Sequence, residues 1–484
     1  MHAIKHRLRA FNFSYLKVPG VSSYEKAHPI NALPENDQAY PSTAWAWYTV
    51  AILLCAYIFS FIDRQILNLL VAPVRRDLGI TDTEMSLLIG FSFAVFYSVL
   101  GLPFGRLADS VTRPRLIIVG MFTWSLMTGG CGLINSYAQL FLLRMGVGIG
   151  EATLSPAAYS MISDSFPPEK RSVPFSVYTM ATYIGGGFAF LLGGLLLRYF
   201  GSKQMFELPI IGLVRPWQAL FIFLGISGIL FILVLLSLRD PSRKGARVFE
   251  NAAGKIKVER IPLSAVWKYF LQNKKALLSL NVGMGLAALA AYGTSAWGIT
   301  FLVRNHHMTA PHAGIIFGVA QIFAGTLGML TAGKAVAWLA KRGYRDAYMR
   351  VAVFAVAAWL IPGILFPLVP QTNAMIPLLS IAIFFGCMPT CLIPAAIVEL
   401  VPNAMRGQAT AFYLLVVNLI GLGIGPTAVA LVTDKVFHYD DAVHYSLAIV
   451  PVSAIILAEI FFITGLRSYI PTQVRLNLWL QENL

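Results

Sequence analysis

The sequence contains little charge for its length. Only 12% of its 484 residues are Asp, Glu, Lys or Arg, whereas 57% are hydrophobic. Soluble domains carry about 25% charged residues, so a surface this poor in charge cannot face water on all sides. The composition therefore predicts a membrane protein whose main partner is the lipid bilayer.

Cysteine is scarce as well. The four cysteines, Cys55, Cys131, Cys387 and Cys391, all lie inside apolar runs. Thiols in such positions are typically inert packing groups, so the sequence predicts neither a disulfide framework nor a redox compartment. Cys387 and Cys391 are one helical turn apart, but no His or carboxylate lies close to them in sequence, and we expect no metal site.

Motifs of enzymes and of ATP-driven pumps are missing. The sequence has no Walker A loop, no H-E-x-x-H or G-x-S-x-G motif and no zinc-ligand spacing. We therefore expect neither enzymatic activity nor ATP-driven transport, and no cofactor other than a proton as the coupling ion. About forty polar or mixed residues precede the first apolar run without a cleavage-site pattern, so we expect no signal peptide.

Long apolar runs are abundant. A helix needs about 20 predominantly apolar residues to cross the hydrocarbon core of a bilayer, and twelve runs reach that length. We number them spans 1 to 12 in chain order: 46–73, 84–105, 115–134, 137–163, 174–198, 217–238, 276–303, 312–338, 348–369, 374–400, 408–433 and 443–466. The sequence thus predicts an all-α membrane protein with twelve transmembrane helices.

Basic residues predict the orientation. With the N-terminus inside, the inner connecting segments hold about 27 Lys and Arg residues and the outer segments about seven, which is the positive-inside pattern. Both termini are then cytoplasmic, and the net charge of +15 needs no nucleic-acid partner. The predicted regions are a cytoplasmic segment (1–45), a six-span bundle (46–238), a cytoplasmic central loop (239–275), a second six-span bundle (276–467) and a cytoplasmic tail (468–484).

The two halves share a pattern at the ends of spans 4 and 10, which read SDSFPPEKRSVPFSVY and VELVPNAMRGQATAFY. Such internal repeats are common in transporters. Two interpretations remain open: helix ends anchored at lipid headgroups, or inner-gate ionic contacts that form when the cavity faces outward. With Asp164 aligned to Glu399, the residues that recur without a gap are Pro167 and Pro402, Arg171 and Arg406, and Tyr178 and Tyr413.

Two groups of six spans joined by a basic loop resemble the major facilitator superfamily of secondary transporters. GRLADSVTRPR, which follows span 2, resembles the signature loop of that superfamily, G-x-x-x-D-R/K-x-G-R/K-R/K, at Gly105, Asp109 and Arg113. Ser110 stands where a base is usual, and Thr112 replaces a Gly. The resemblance implies two six-helix bundles and a loop that latches them in the outward-open state, and the departures imply a weaker latch.

Within the superfamily, the chain resembles the spinster group through DRQ in span 1 and RMGVGIGEA in span 4. Spinster proteins of animals export lysolipids, so the resemblance implies a lysolipid or another amphipathic substrate. It also implies a monomer in a bacterial inner membrane. Anion–cation symporters of the superfamily carry an acid–Arg pair in span 1 as well, which leaves small organic-anion symport open.

Four charged residues lie deep inside spans 1 and 4. Arg144 and Glu151 are seven residues apart, so they share one face of span 4, about 10 Å apart along its axis. Asp63 and Arg64 fall at an overlapping depth, about 15 Å from the outer end of span 1. A charge inside a membrane helix is costly unless it is paired. We therefore expect the four residues to form one cluster in or beside the central cavity.

This cluster has a structural and a functional interpretation. As a static network it would fix helix packing, although buried ion pairs add little net stability. As a functional site, it offers Glu151 as the first candidate for the coupling proton and Asp63 as the second, because a carboxyl in a low-dielectric cavity can gain and lose a proton near neutral pH. Arg64 or Arg144 would alternatively bind the anionic group of a substrate.

The second half offers few polar candidates for its wall of the cavity. They are Tyr292 and Trp297 in span 7, Gln321 in span 8 and Asn418 in span 11, and each is also interpretable as a packing residue. One charged wall and one aromatic wall suit an amphipathic anion. The first functional hypothesis is thus a proton-coupled transporter working by alternating access, and the second is a non-transporting receptor or scaffold on a transporter fold.

Overall fold

Helices account for almost all regular structure in this protein. The computed structural model describes residues 40–108, 110–167, 170–200, 205–208, 212–243, 248–250, 256–258, 263–402 and 405–483. These residues belong to two compact units. The larger unit contains the helices within Tyr40–Pro241 and Asn273–Leu484, and the smaller unit includes Ser242–Gln272.

All six spans of the first half are helical, and a short β-hairpin connects spans 5 and 6. The elements are α1 (Thr43–Leu69), α2 (Val71–Leu78), α3 (Asp82–Ser86), a π-helical segment (Leu87–Phe91), α4 (Ser92–Ala108), α5 (Arg113–Cys131), α6 (Tyr137–Glu151), α7 (Leu154–Ser165), α8 (Ser172–Phe200), β1 (Phe206–Leu208), β2 (Gly212–Val214) and α9 (Pro216–Leu235). The strands β1 and β2 pair antiparallel, with Phe206 opposite Val214.

The six spans of the second half are helical as well, and π-helical segments interrupt spans 8 and 11. The elements are α11 (Lys274–Asn305), α12 (Ala310–Ala320), a π segment (Gln321–Gly325), α13 (Thr326–Lys341), α14 (Ala347–Leu368), α15 (Thr372–Gly386), α16 (Met388–Glu399), α17 (Arg406–Val416), a π segment (Val417–Ile424), α18 (Gly425–Leu431), a π segment (Val432–Phe437), a 3₁₀ turn (Asp440–Ala442) and α19 (Val443–Asn483).

The smaller unit holds the remaining elements. Strands β3 (Val248–Glu250) and β4 (Ile256–Val258) pair antiparallel, and α10 (Leu263–Gln272) follows them. Much of the predicted central loop is thus ordered into a short hairpin and a helix. The predicted N-terminal segment, up to residue 39, lies outside the described residues.

Among the described residues, ten helices are long and apolar enough to cross a membrane. Spans 3 and 4 are the two that fall short. Span 3 opens with Arg113 and Arg115, which lower its hydropathy, and span 4 breaks at Ala152 and Thr153 into α6 and α7. The same break leaves Glu151 as the last residue of α6, next to turn residues rather than inside a continuous helix.

Helix α19 is longer than the sequence predicts. It runs 41 residues from Val443 to Asn483, which corresponds to about 60 Å, twice the thickness of the hydrocarbon core. The predicted boundary at residue 467 therefore lies inside a continuous helix, and most of the predicted tail is helical. Neither Pro451 nor Pro471 ends the helix.

The two halves of the larger unit pack closely where small residues meet. A Cβ placed on Gly187 of α8 would lie 2.8 Å from the Gly318 carbonyl oxygen of α12. Such close approach of backbones at small residues is the usual packing device of membrane helices. Gly186 and Gly187 of the YIGGG motif therefore serve helix contact between the halves.

Helix direction defines two faces of the larger unit. We call the face with the start of α1 and the end of α7 the terminal face, because α19 also ends there. The opposite face carries the end of α1 at Leu69 and the start of α3 at Asp82.

Candidate functional site

A buried ion pair joins spans 1 and 4. Arg64 Nη2 lies 2.7 Å from Glu151 Oε2, and the two side chains are 3% and 0% exposed. Ser60, one helical turn before Arg64, donates a hydrogen bond of 2.6 Å from its hydroxyl to the same oxygen. Two of the four residues of the predicted cluster are therefore paired, and Glu151 Oε1 is buried without a hydrogen-bond partner in the described structure.

Aromatic rings surround the Arg64 guanidinium. Its central carbon lies 4.7 Å from the ring centre of Phe61, 4.4 Å from that of Phe93 and 4.8 Å from that of Tyr97. Cation–π contacts of this kind favour a charged guanidinium in a site with little water. Glu151 and the rings together compensate a charge that would otherwise be costly at this depth.

The second arginine of the cluster binds backbone instead of carboxylates. Arg144 is fully buried and donates from Nη1 to the Asp63 carbonyl at 3.0 Å. Longer hydrogen bonds reach the carbonyls of Arg64, at 3.5 Å, and Leu88, at 3.4 Å. Arg144 thus ties span 4 to spans 1 and 2, which is the contact set of a packing residue.

The carboxylate of Asp63 stands apart from the ion pair. The side chain is 3% exposed, Oδ1 has no hydrogen-bond partner, and no described cation lies within 4.0 Å of the carboxylate. Thr128 of span 3 lies beside it. The four predicted charges are therefore neighbours in chain and space, but they form one ion pair, one backbone-bound arginine and one separate acid rather than a single network.

Tyrosines from five spans gather around this site, and the sequence reasoning missed four of them. Tyr57 stacks on Tyr178 with ring centres 4.7 Å apart, and Tyr159 meets Tyr178 edge-on at 5.4 Å. Tyr97 and Tyr292 pack against the same core. A usable signal was present in span 1, where Tyr57, Phe61 and Arg64 recur at helical spacing. We call Tyr57, Tyr97, Tyr159, Tyr178 and Tyr292 the tyrosine cluster.

The predicted residues of the second half divide into two groups. Tyr292 belongs to the tyrosine cluster and neighbours Arg64, and Gln321 meets the first half at Gly186, where an added Cβ would lie 2.8 Å from its Nε2. Trp297 is fully buried and donates from Nε1 to the Pro426 carbonyl at 2.8 Å. Asn418 donates to the Leu414 carbonyl in its own span. The last two contacts are those of packing residues.

Arg113, predicted as a gating residue, binds partners within the first half. Its fully buried side chain pairs with Asp164 and, at 2.6 Å, with Asp240, and it also donates to Ser160 at 2.8 Å. These groups come from spans 3 and 4 and from the end of span 6. Arg113 therefore ties together the helices of its own half at the terminal face.

The other predicted gating residues make no ion pairs between the halves in the described part of the chain. Glu399 accepts a hydrogen bond of 2.6 Å from the Tyr469 hydroxyl, and Arg171 donates to the Phe166 carbonyl at 2.9 Å. Arg406 is exposed, and neither arginine has a described carboxylate within 4.0 Å. A Cβ added to Gly105 would lie 4.0 Å from the Pro156 side chain, so this glycine is not closely packed. Asp109 lies outside the described residues.

A four-residue ion-pair network joins the halves at the opposite face, where the sequence predicted no gate. Arg75 and Asp82 come from the first half, and Arg304 and Asp440 from the second. Arg75 lies 3.0 Å from Asp82 and 2.8 Å from Asp440. Arg304 lies 2.6 Å from Asp82 and 3.5 Å from Asp440. Each arginine thus contacts both aspartates, and we call these four residues the outer latch, after the orientation that the sequence predicts.

Hydrogen bonds extend the outer latch. Thr83 donates to Asp434 from its backbone at 2.8 Å and from its hydroxyl at 2.6 Å, again between the halves. The hydrogen bond from Arg75 and the nearby Arg304 hold the pKa of Asp440 below its usual range. The conformation is therefore closed at the opposite face.

Comparison with known proteins identifies the family. The Major Facilitator Superfamily model matches residues 53–426, most of the chain. The chain belongs to the major facilitator superfamily. It is accordingly a multi-pass membrane transporter of the secondary type and not an enzyme, and this family membership favours the transporter hypothesis over the receptor or scaffold hypothesis.

Named relatives within the superfamily have different functions. The chain is 28% identical to an "MFS-type efflux pump" of Mycolicibacterium smegmatis, over 82% of this chain and 86% of that protein. It is 28% identical to a "Probable L-galactonate transporter" of Escherichia coli, over 70% of this chain and 73% of that one. It is also 26% identical to "Protein spinster" of Drosophila melanogaster, over 81% of this chain and 63% of that protein.

A solved structure shares the fold. It is a bacterial homologue of the human lysosomal transporter spinster, crystallised in an inward-facing, unoccupied conformation. The TM-score is 0.70 at 24% identity, and the match covers 89% of this chain and 99% of that one. The predicted all-helical membrane fold and the predicted likeness to spinster transporters are confirmed.

Proposed function

We propose that this transporter couples the movement of an amphipathic anion to a proton, with Glu151 as the carboxyl that carries the proton. The ion pair between Arg64 and Glu151 carries the proposal. It is buried among aromatic rings, and one oxygen of Glu151 receives both Arg64 and Ser60. A packing role alone is a weak account of such a pair, because desolvation offsets most of its Coulomb energy.

The chemistry of the pair links proton and anion. Arg64 remains charged under all physiological conditions, so it needs an anionic partner. When Glu151 takes up a proton it becomes neutral, and Arg64 is left to a carboxylate or phosphate of the substrate, which a guanidinium binds well. Proton binding and anion binding then favour each other by the same free energy, and this reciprocity is the basis of coupling.

The tyrosine cluster supports an amphipathic substrate. Tyrosines offer ring faces for an apolar part and hydroxyls for a polar part, and they adjoin Arg64. A lysolipid or a comparable anion satisfies both features. Small organic-anion symport is the second candidate, because the galactonate transporter among the relatives carries a sugar acid by name, and the single Arg64 guanidinium suffices for one carboxylate.

Alternating access supplies the cycle. The outer latch closes one face, and the predicted gating residues described at the terminal face do not pair between the halves. We infer an arrangement of twelve transmembrane helices with both termini in the cytoplasm of a bacterium. In that orientation the present conformation is closed to the outside by the outer latch. Breaking the outer latch while the terminal face closes would expose the site to the outside.

The test uses purified protein in proteoliposomes with an imposed proton gradient. Lysophospholipids and sugar acids are compared as substrates. Glu151→Gln, which is neutral at every pH, is expected to lose proton-driven flux while retaining substrate exchange. Glu459→Gln is the matched control, because Glu459 is a partly buried carboxyl in span 12, away from the ion pair. Full pH-dependent uptake by the Glu151→Gln protein would exclude Glu151 as the coupling site.

A further inference from the structure

A cavity of about 690 Å³ lies at the terminal face of the second half. Its polar lining residues come from the start of span 9, the end of span 10 and the extension of α19, and they are Tyr344, Arg345, Tyr348, Glu399, Gln473 and Asn477. These residues lie at the terminal-face ends of second-half helices, whereas Arg64 and Glu151 belong to spans 1 and 4 of the first half. The cavity is therefore a separate feature from the transport site.

The first half contains a region that corresponds in sequence to the lining of this cavity. The segments LADSVTR and LAKRGYR, which lead into spans 3 and 9, share Leu, Ala and Arg at the same spacing. Arg345 is thus the counterpart of Arg113. The alignment of the spans 4 and 10 ends already makes Glu399 the counterpart of Asp164, so the acid and the arginine correspond in both halves.

The arginine and the acid are paired in the first half but not in the second. In the first half, the buried guanidinium of Arg113 pairs with Asp164 and Asp240. In the second half, Arg345 is exposed, and no described cation lies within 4.0 Å of Glu399. The Tyr469 hydroxyl still orients the Glu399 carboxylate with a hydrogen bond of 2.6 Å. An oriented carboxylate thus faces open space where the first half holds a cation.

We propose that this cavity binds a zwitterionic headgroup with a primary ammonium next to a phosphate, as in phosphoethanolamine. The ammonium takes the place of the missing guanidinium at Glu399, and the phosphate meets Arg345, which suits phosphate oxygens. The amides of Gln473 and Asn477 supply further hydrogen bonds. Both charges of the headgroup then have a partner of opposite sign.

The surroundings favour a membrane lipid as the source of this headgroup. The cavity lies where the spans end. Large apolar side chains within one helical turn of its lining residues on α13 and α19 are exposed: Trp338 by 53%, Ile470 by 40% and Val474 by 37%. Acyl chains of a phospholipid can cover such side chains while its headgroup enters the cavity. A choline headgroup is excluded as an equal ligand, because its quaternary ammonium has no N–H to donate to Glu399.

The experiment measures the melting temperature of the purified transporter in detergent with dihexanoyl phospholipids that differ only in headgroup. The ethanolamine lipid is expected to raise the melting temperature of the unaltered protein, and the choline lipid is not. Glu399→Gln and Arg345→Gln are each expected to weaken this response about tenfold in lipid concentration, the effect of losing one charge-assisted hydrogen bond. The amide introduced by Glu399→Gln can still accept from the Tyr469 hydroxyl, so the fold is retained.

Glu459→Gln is the control and is expected to respond as the unaltered protein does. Equal protection by the choline lipid, or an unchanged response in both the Glu399→Gln and Arg345→Gln proteins, would overturn the proposal. Soluble phosphoethanolamine is tested alone. If it protects at the concentrations at which the lipid does, the ligand is the free zwitterion and the lipid source is wrong. Because no transport is measured, failure here is distinct from failure of the proton-coupling proposal.

Discussion

Arg75 and Asp440 are 365 residues apart in the chain, yet two hydrogen bonds join them, at 2.8 Å and 3.4 Å. Arg75 follows span 1 and Asp440 precedes span 12, so this contact closes the gap between the two halves at the opposite face. Arg304 and Asp82 complete the network from the other side of the gap. The closed face of this transporter therefore depends on charges outside the hydrophobic spans.

Replacing Arg304 with Ala is expected to open the outer latch. Arg304 makes two short hydrogen bonds to Asp82, which is fully buried, and losing them leaves that carboxylate with Arg75 alone. A charge-assisted hydrogen bond contributes about 1.5–3 kcal/mol, so the population open at the opposite face should rise about tenfold or more. Ser295 of span 7 donates a hydrogen bond of 3.4 Å to Gln65 of span 1, so it lies where the two halves meet. Labelling of a Ser295→Cys reporter by an impermeant maleimide, in a background without native cysteines, measures this population.

Arg76→Ala is the matched control for the latch. Arg76 is the neighbour of Arg75, but it pairs at 2.9 Å with Asp77 of its own half and is mostly exposed. Its loss should leave the labelling rate unchanged. Equal rates for the Arg304→Ala and Arg76→Ala proteins would show that the ion pairs between the halves do not hold the face closed.

The outer latch is expected to be insensitive to the pH of the adjoining solution between pH 5 and 8. Arg75 lowers the pKa of Asp440 from its usual value of about 4. A lowered pKa means that the stabilisation is present above the usual value and is lost only as pH falls through the lowered one. The Ser295→Cys labelling rate should therefore stay flat over this range. A midpoint near pH 6 would instead place a pH sensor at this face.

Asp63→Asn separates the two interpretations of the second buried acid. The Asp63 carboxylate has no described cation within 4.0 Å, and burying an unpaired charge is unfavourable. The amide should therefore leave the melting temperature unchanged or raise it. Proton-driven flux in proteoliposomes is the second readout, and we expect flux to persist because we propose Glu151 as the carrier of the proton. Loss of flux in a stable Asp63→Asn protein would transfer that role to Asp63.

Gly187→Ala is expected to disturb the contact between the halves. The new Cβ would meet the Gly318 carbonyl oxygen at 2.8 Å and the Ile322 side chain closer still, and overpacking of this kind costs about 1–3 kcal/mol. The latch-closed population should fall, seen as faster Ser295→Cys labelling. Gly101→Ala is the control, because nothing lies within 4 Å of a Cβ there. Identical labelling of the two proteins would argue against close packing at Gly187.

Local pattern was sufficient to predict the helices. Every predicted span is largely helical, because the length of an apolar run depends only on neighbouring residues. Two helix boundaries differ from the predicted span boundaries. Helix α19 continues past the predicted end of span 12 to Asn483, because the polar residues after that end do not stop a helix. Span 4 breaks at Ala152 and Thr153, where no Pro or Gly in the sequence predicts a break.

Charge pairing was predicted only where two partners share a depth on adjacent spans. All four buried charges of spans 1 and 4 met that condition, and the structure pairs only Arg64 with Glu151. Arg144 did not pair with Asp63, because its guanidinium lies against backbone carbonyls of spans 1 and 2, and such a choice depends on the distance between helices. Likewise, the sequence predicted that Arg113 would form a contact between the halves, but its guanidinium pairs with Asp164 and Asp240 of its own half.

The sequence by itself determined that this protein lies in a membrane, that it has two related halves, and that charge is buried in spans 1 and 4. Those properties follow from composition, run length and spacing, all of which are local. Only the tertiary structure decided which arginine meets which acid, that the outer latch closes one face, and that Glu399 faces a cavity. The energy of an ion pair falls with the distance between its charges, and the distance between remote segments is fixed only when the helices pack.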